Sequence, residues 1–159
     1  MTRASPRPPA VVRPAGSDDA DAITAVFLAS RAAAMPYLPR RYDHDETRWW
    51  VTHVVMPQCQ VWVAQELDAP QLLGFVAVKD DVLEHLYLSP EQRRRGIGSQ
   101  LLAQAYRASP GRLTLRVFTR NTDARALYER HGFRPLDEND GSRNEENEPD
   151  MTYGWTRDR

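Results

Sequence analysis

Cysteine occurs once, at Cys59, in a chain of 159 residues, which excludes an intramolecular disulfide and any multi-cysteine metal site. Its plain role is a small residue at the start of a strand. Long apolar runs are also missing. None approaches the roughly 20 residues of a membrane-spanning helix, so no membrane contact is expected. The first 14 residues hold arginines and four prolines but no apolar stretch of a secretory signal. Residues 1–9 therefore read as a disordered lead-in, residues 10–159 as a single domain, and the cytoplasm as its compartment. An excess of one charge is absent as well: 21 Lys and Arg stand against 22 Asp and Glu, a net −1. That balance lacks the basic surplus of a nucleic-acid-binding domain, so the dense run Arg93, Arg94 and Arg95 is local and suits something small and anionic. The 41% hydrophobic and 27% charged residues are those of a globular chain with one core and one active site.

The order of elements follows from periodicity. Val11 and Val12 lead into the cap-like cluster Ser17, Asp18 and Asp19, and then into Ile23, Val26, Phe27 and Ser30 at helical spacing. The prolines in residues 35–39 break that helix, and Asp45 opens a second one through Trp49, Trp50, His53 and Val54. Residues 60–66 and 72–78 are β-branched and aromatic, with a hairpin at Asp68-Ala69-Pro70, and a tight turn at Asp80-Asp81 leads into a third strand, 82–88. After Gly98 the period becomes helical, with Ile97, Leu101, Leu102 and Ala105 on one face. A strand at 113–118, a helix at 121–131 stopped by Gly132, and a strand at 133–136 follow. Residues 137–148 are polar and acidic, and residues 151–155 alternate like a last edge strand. The order is βααβββαβαβ, an α/β (α+β) arrangement.

The chemistry is concentrated after the third strand of that antiparallel group, in Leu86-Tyr87-Leu88-Ser89-Pro90-Glu91-Gln92-Arg93-Arg94-Arg95-Gly96-Ile97-Gly98. A helix start offers unpaired N–H groups and a positive dipole end, and glycines let a phosphate approach the backbone. Gly96-x-Gly98 lacks the third glycine of a dinucleotide fingerprint and no Gly-Lys-Ser/Thr follows. On these residues alone, a glycine turn with solvated arginines is the competing reading.

Arg93-x-x-Gly96-x-Gly98 resembles the Arg/Gln-x-x-Gly-x-Gly/Ala signature of the GNAT acetyltransferases. Asn121-x-x-Ala124-x-x-x-Tyr128-x-x-x-Gly132-Phe133 resembles that family's later signature, and together the two cover residues 82–136. The resemblance implies a mixed, mostly antiparallel sheet of six to seven strands with splayed central strands and about four flanking helices. It implies acetyl-CoA as co-substrate and no metal, with pantetheine along Leu86, Tyr87 and Leu88, and phosphates held by Arg93, Arg94, Arg95, Gly96, Ile97, Gly98 and Ser99. Asn121, Ala124 and Tyr128 complete the cofactor set. Pantetheine amides can add to a free strand edge as a peptide does, and hydrogen bonds to charged groups are worth about 1.5–3 kcal/mol each.

Acyl transfer from a thioester to an amine needs an unprotonated nucleophile, stabilisation of the oxyanion and a proton for the departing thiolate. Tyr128 resembles the family tyrosine that supplies that proton; its alternative is aromatic packing across Ala124 and Leu127. Asn121 also suits a helix N-cap. Glu84, on the face of Leu86 and Leu88 by period two, is the expected base in the cleft. The same alternation turns His85 to the other face as a buried, hydrogen-bonded group. A backbone N–H of Leu86 or Leu88 suits the oxyanion. For the acceptor, Tyr37, Trp49 or Trp50, Glu145, Glu146 and Asp150 form a candidate pocket, against the reading of a solvated acidic loop. The expected reaction is direct transfer, in a ternary complex, to a primary amine of a small molecule or peptide N-terminus. A non-catalytic acyl-CoA sensor of the same fold is the competing class. The oligomeric state is open, with a homodimer among the options.

Overall fold

The computed structural model describes residues 10–67, 69–92 and 96–157. Seven strands form one sheet in the order β1-β2-β3-β4-β5-β7-β6. They are β1 (Ala10–Pro14), β2 (Gln60–Glu66), β3 (Leu72–Lys79), β4 (Val82–Leu88), β5 (Arg112–Phe118), β6 (Arg134–Asn139) and β7 (Asp150–Thr156). Every neighbouring pair is antiparallel except β4 and β5. The helices are α1 (Ala20–Ala34), α2 (His44–Trp50), α3 (Met56–Gln58), α4 (Ile97–Ala108) and α5 (Thr122–Arg130). A π turn at Val51–Val55 joins α2 to α3, so the sheet is flanked by four helical bodies.

Local chemistry explains the boundaries. Before α1, Ser17–Asp19 forms a 3-10 turn in which the Asp19 carboxylate accepts from the Gly16 N–H at 2.7 Å and from Arg13 at 2.9 Å. Helix α2 starts at His44 and is capped by Asp43, two residues ahead of the Asp45 expected to open it. Asp43 accepts from the Glu46 N–H at 2.8 Å while Glu46 reaches back to the Asp43 N–H at 3.1 Å, a reciprocal capping box. At the end of α5, Gly132 takes φ +93° and the Phe133 N–H bonds the Tyr128 carbonyl at 3.0 Å, the arrangement by which a glycine stops a helix.

Two apolar layers sandwich the sheet. On one face Ile23 and Val26 of α1 and Val51 pack on Val63, Leu72 and Phe75. On the other, Ile97, Leu101, Leu102 and Ala105 of α4, with Tyr128 of α5, pack on Ala64, Leu73, Val76 and Val78. Strand β3 lies between both layers, which is why it is buried from Leu72 to Val78 without alternation.

One expectation changes. Strand β7 is not an edge: it pairs with both β5 and β6, and its Met151 and Tyr153 are buried. The edge is β6, where Leu136 is 64% exposed. The hairpin at Asp68-Ala69-Pro70 and the lead-in at residues 1–9 involve positions outside the described residues. Among the described residues no helix is long and apolar enough to cross a membrane.

Candidate active site

Strands β4 and β5 touch at their beginnings only. Val82 pairs with Thr114, whose N–H also bonds the Asp81 carbonyl at 2.9 Å; beyond that point no pair joins them. Along residues 84–88, the backbone groups of β4 that face away from β3 have no strand beside them. The widening gap forms a cleft of about 570 Å³ that both halves of the sheet line.

One wall of the cleft is made by the start of α4 and by α5. Gly96 is the N-cap of α4 at φ +80°, and among the described residues a Cβ built there meets nothing within 4 Å. That room fits an anion lying against the first N–H groups of the helix. Gly98 is tight for a different reason: a Cβ would sit 3.0 Å from Leu127 Cδ2, so its absence lets α4 approach α5. Ile97, Gly98 and Ser99 line the cleft together with Asn121, Ala124 and Tyr128. Asn121 is the N-cap of α5, its side chain accepting from the Ala124 N–H at 3.3 Å. Arg93, Arg94 and Arg95 lie outside the described residues.

Tyr128 is 7% exposed and meets Phe133 edge-on at 5.6 Å. It is both packed and cleft-lining, so its two sequence readings coexist. Burial, with the neighbouring Tyr87 phenol adding to it, raises its pKa well above the ordinary phenol range. The hydroxyl therefore keeps its hydrogen and is a donor at any working pH.

Glu84 is where periodicity misleads. Ala77 pairs with His85 and Val78 with Leu83, which leaves Glu84 as the extra residue of a β-bulge. The bulge resets the alternation. Leu83 and Leu86 both belong to the α4-side core, so period two does not run unbroken through Glu84 and cannot by itself put it on the face of Leu86 and Leu88. It still lines the cleft, exposed, and its charge helps burial push the Cys59 thiol up, which puts the carboxylate toward the corner before β2.

His85 follows on the α1 side, but it also lines the cleft. Its contacts among the described residues are aromatic: Trp50 at 5.1 Å, Tyr87 at 6.1 Å and Phe27 at 6.4 Å. Burial, helped by the Arg31 charge, lowers its pKa to about 4. At neutral pH it is an uncharged imidazole, too weak a base to take a proton from an ammonium group.

The acceptor residues scatter. Asp150 lines the cleft, 6% exposed, and accepts from Asn139 and from Asn144, the latter at 3.2 Å. Glu146 pairs with Arg31 at 3.2 Å, and Glu145 accepts from the Tyr42 hydroxyl at 3.0 Å. Glu148 takes two bonds from Arg120, at 2.7 and 2.8 Å, and Arg120 lies 3.7 Å over the Tyr37 ring. Trp49 is 59% exposed, stacked on His53, and neither it nor Tyr37 lines the cleft. The acidic segment is exposed along most of its length, yet Glu145, Glu146 and Glu148 are already bonded. It is tied to α1 and to the chain leading into α2, next to the Ser30, Ala34 and Met35 that line the cleft. The residues missed by sequence reasoning are Arg31, Tyr42 and Arg120, whose partners lie far along the chain.

A split sheet with a free strand edge, a glycine-opened helix start and a buried phenol beside them make a cleft with room for a long ligand that bears amides and negative charge. Comparison with known proteins narrows the class. Residues 57–135 match the acetyltransferase (GNAT) domain. The peptidyl-lysine N-acetyltransferase YiaC of Escherichia coli is 29% identical over 128 residues, 80% of this chain and 85% of that protein. The peptidyl-lysine N-acetyltransferase YjaB of Salmonella typhimurium is 26% identical over 123 residues, 77% and 82% of the two chains. The fold matches the PaiA N-acetyltransferase of Thermoplasma acidophilum, solved in complex with coenzyme A, with a TM-score of 0.71 and 19% identity over 93% of this chain and 99% of that one. The chain belongs to the GNAT superfamily and is an acetyl-CoA-dependent acetyltransferase. Among the described residues no group of three or more His, Cys, Asp or Glu is placed to hold a metal.

Proposed function

We propose that the protein transfers the acetyl group of acetyl-CoA to a primary amine in a ternary complex, with the side chain of a peptidyl lysine as the leading acceptor class. The observation that carries the reaction is the unpaired edge of β4, open to one cleft that Glu84, Tyr128 and the Gly96 turn all line. The acceptor class is taken from the two named relatives, which act on peptidyl lysine.

Acetyl-CoA supplies an activated acyl carbon and a thiol leaving group; the chain does the rest. The free backbone groups of residues 84–88 hold the pantetheine amides as an added strand. The N–H groups that follow Gly96 meet the phosphates, and the Gly96 turn leaves them room. Glu84 takes the proton that the amine must lose, directly or through water. A β4 N–H on the free edge donates to the carbonyl oxygen as it gains charge. Tyr128 donates to the departing sulfur. Because burial makes it a weaker acid, its main contribution is a hydrogen bond to the developing thiolate, with transfer of the proton completing the step.

The test is purified protein with acetyl-CoA and a panel of lysine peptides, free N-terminal peptides, amino acids and aminoglycosides, read by thiol release and mass spectrometry. Acetylation of lysine ε-amines is expected. Acetylation of α-amines alone overturns the acceptor class. Tight acetyl-CoA binding with no amine modified makes the chain a binding domain instead.

A further inference from the structure

Ser99 stands in the first turn of α4, lines the cleft beside Gly98, and places its Oγ 2.8 Å from His131 Nε2. His131 is the C-cap of α5. Its backbone is held on two sides: its N–H bonds the Tyr128 carbonyl at 3.1 Å, and the Tyr106 hydroxyl donates to its carbonyl at 2.7 Å. The ring is thus fixed behind the serine.

A serine hydroxyl has a single hydrogen. When Nε2 is bare, that hydrogen is spent on the imidazole and Oγ turns only lone pairs toward the cleft, which repel an anion. When Nε2 carries hydrogen, it donates to Oγ and frees the serine hydrogen for a cleft ligand. We infer that His131 is a positioning residue for the phosphates of the acyl carrier, turning the Ser99 hydroxyl so that it donates to a phosphate oxygen. The inference rests on the acetyl-CoA reading of the cleft.

The imidazole can present Nε2 either bare or bearing hydrogen, and an anion lying against the start of α4 favours the form that donates to Oγ, because only that form leaves the serine hydrogen for the anion. Among the described residues, Arg130 lines the cleft beside this pair, and Trp155 of β7 packs against Gly132 behind it.

Dephospho-coenzyme A is the probe, because the pyrophosphate is its only phosphate group. By calorimetry His131→Leu should bind it about tenfold more weakly than the natural protein, and should raise the KM for acetyl-CoA more than it lowers kcat. His131→Gln keeps an N–H donor near the Nε2 position and should recover most of the affinity that His131→Leu loses. Ser99→Ala should bind as weakly as His131→Leu, and the double variant should lose little more than either. Full affinity in a folded His131→Leu variant, or losses that add in the double variant, overturns the role of His131 alone. Failure of the natural protein to bind either acetyl-CoA or dephospho-coenzyme A overturns the cleft reading and this inference together.

Discussion

On the side of the cleft that we assign to the cofactor, the proposed working groups are backbone N–H donors, two glycines and a tyrosine from one stretch, residues 84–128, held by elements that follow one another directly. On the acceptor side, the wall is tied by contacts such as Arg31 to Glu146 and Tyr42 to Glu145, whose partners stand 115 and 103 residues apart. A phosphate and a row of amides look alike to every enzyme that binds them, so a short local pattern suffices. An acceptor is met by whatever side chains the fold brings together, and no local pattern records them. The two walls should differ in the same way under mutation: single changes should be severe on the first and mild on the second.

The largest effect is expected at Gly96. Its φ of +80° is one that aspartate tolerates better than most residues, and no described residue fills the space above it. Gly96→Asp should therefore fold, with Tm within a few degrees, while its carboxylate occupies the place of a phosphate. Acetyl-CoA affinity should fall at least about a hundredfold by calorimetry, the scale of one or two charge-assisted hydrogen bonds. Unchanged affinity in the folded variant would remove the phosphate site.

Next comes Tyr128→Phe. The ring keeps its packing against Phe133 and only a buried donor is lost, so acetyl-CoA should bind as before while kcat falls about a hundredfold, the usual worth of a positioned acid. A collapse of Tm without a specific loss of kcat would instead make Tyr128 a core residue and nothing more.

Glu84→Gln ranks third. A carboxylate that accepts the proton of the amine matters most when the amine arrives as ammonium, so the rate should drop about tenfold, and more at low pH than at high. His85 offers no substitute, since burial holds it at about 4 and thus uncharged and weakly basic above that pH. An equal loss at every pH would mean that Glu84 only positions the acceptor.

How far the sequence reached follows the same division. The glycine motif, the Asn121 cap and the Gly132 stop each act within a few residues, and all three sit where the pattern puts them. The bulge was invisible because Glu84 alternates perfectly along its own strand; only the register against β3 shows it to be the extra residue. The interior place of β7 was hidden for a related reason. Its alternation tells which residues are buried, while the partner on its far side, β6, is short and mostly exposed and gives no strong signal. The carboxylates at Glu145 and Glu146 were legible as charges, but their partners on α1 and in the chain before α2 were not.

The smallest effect is expected from those carboxylates, and it separates two uses of charge. If Glu145 and Glu146 faced an incoming cation, Glu145→Gln/Glu146→Gln would raise KM for cationic acceptors alone. In the structure both are already engaged, Glu146 by Arg31 and Glu145 by Tyr42, and beside them Glu148 is held below the ordinary carboxylate range by its bonds from Arg120. Their work is to hold the β6–β7 segment against α1 along the cleft. The double variant should therefore raise KM about two- to fivefold for cationic and zwitterionic amines alike, the modest scale of part-exposed ion pairs. High salt should imitate the variant in the natural protein and add little to the variant itself. Acid should act in the same direction through Glu148 alone: its lowered pKa stabilises the folded arrangement at neutral pH, and that contribution is lost as the pH falls through the lowered value. Acetyl-CoA affinity should stay level throughout, because the cofactor wall does not use this segment. Selective loss of cationic acceptors would show that the carboxylates reach the substrate, and would make the acceptor wall a charge-reading surface like the cofactor wall opposite.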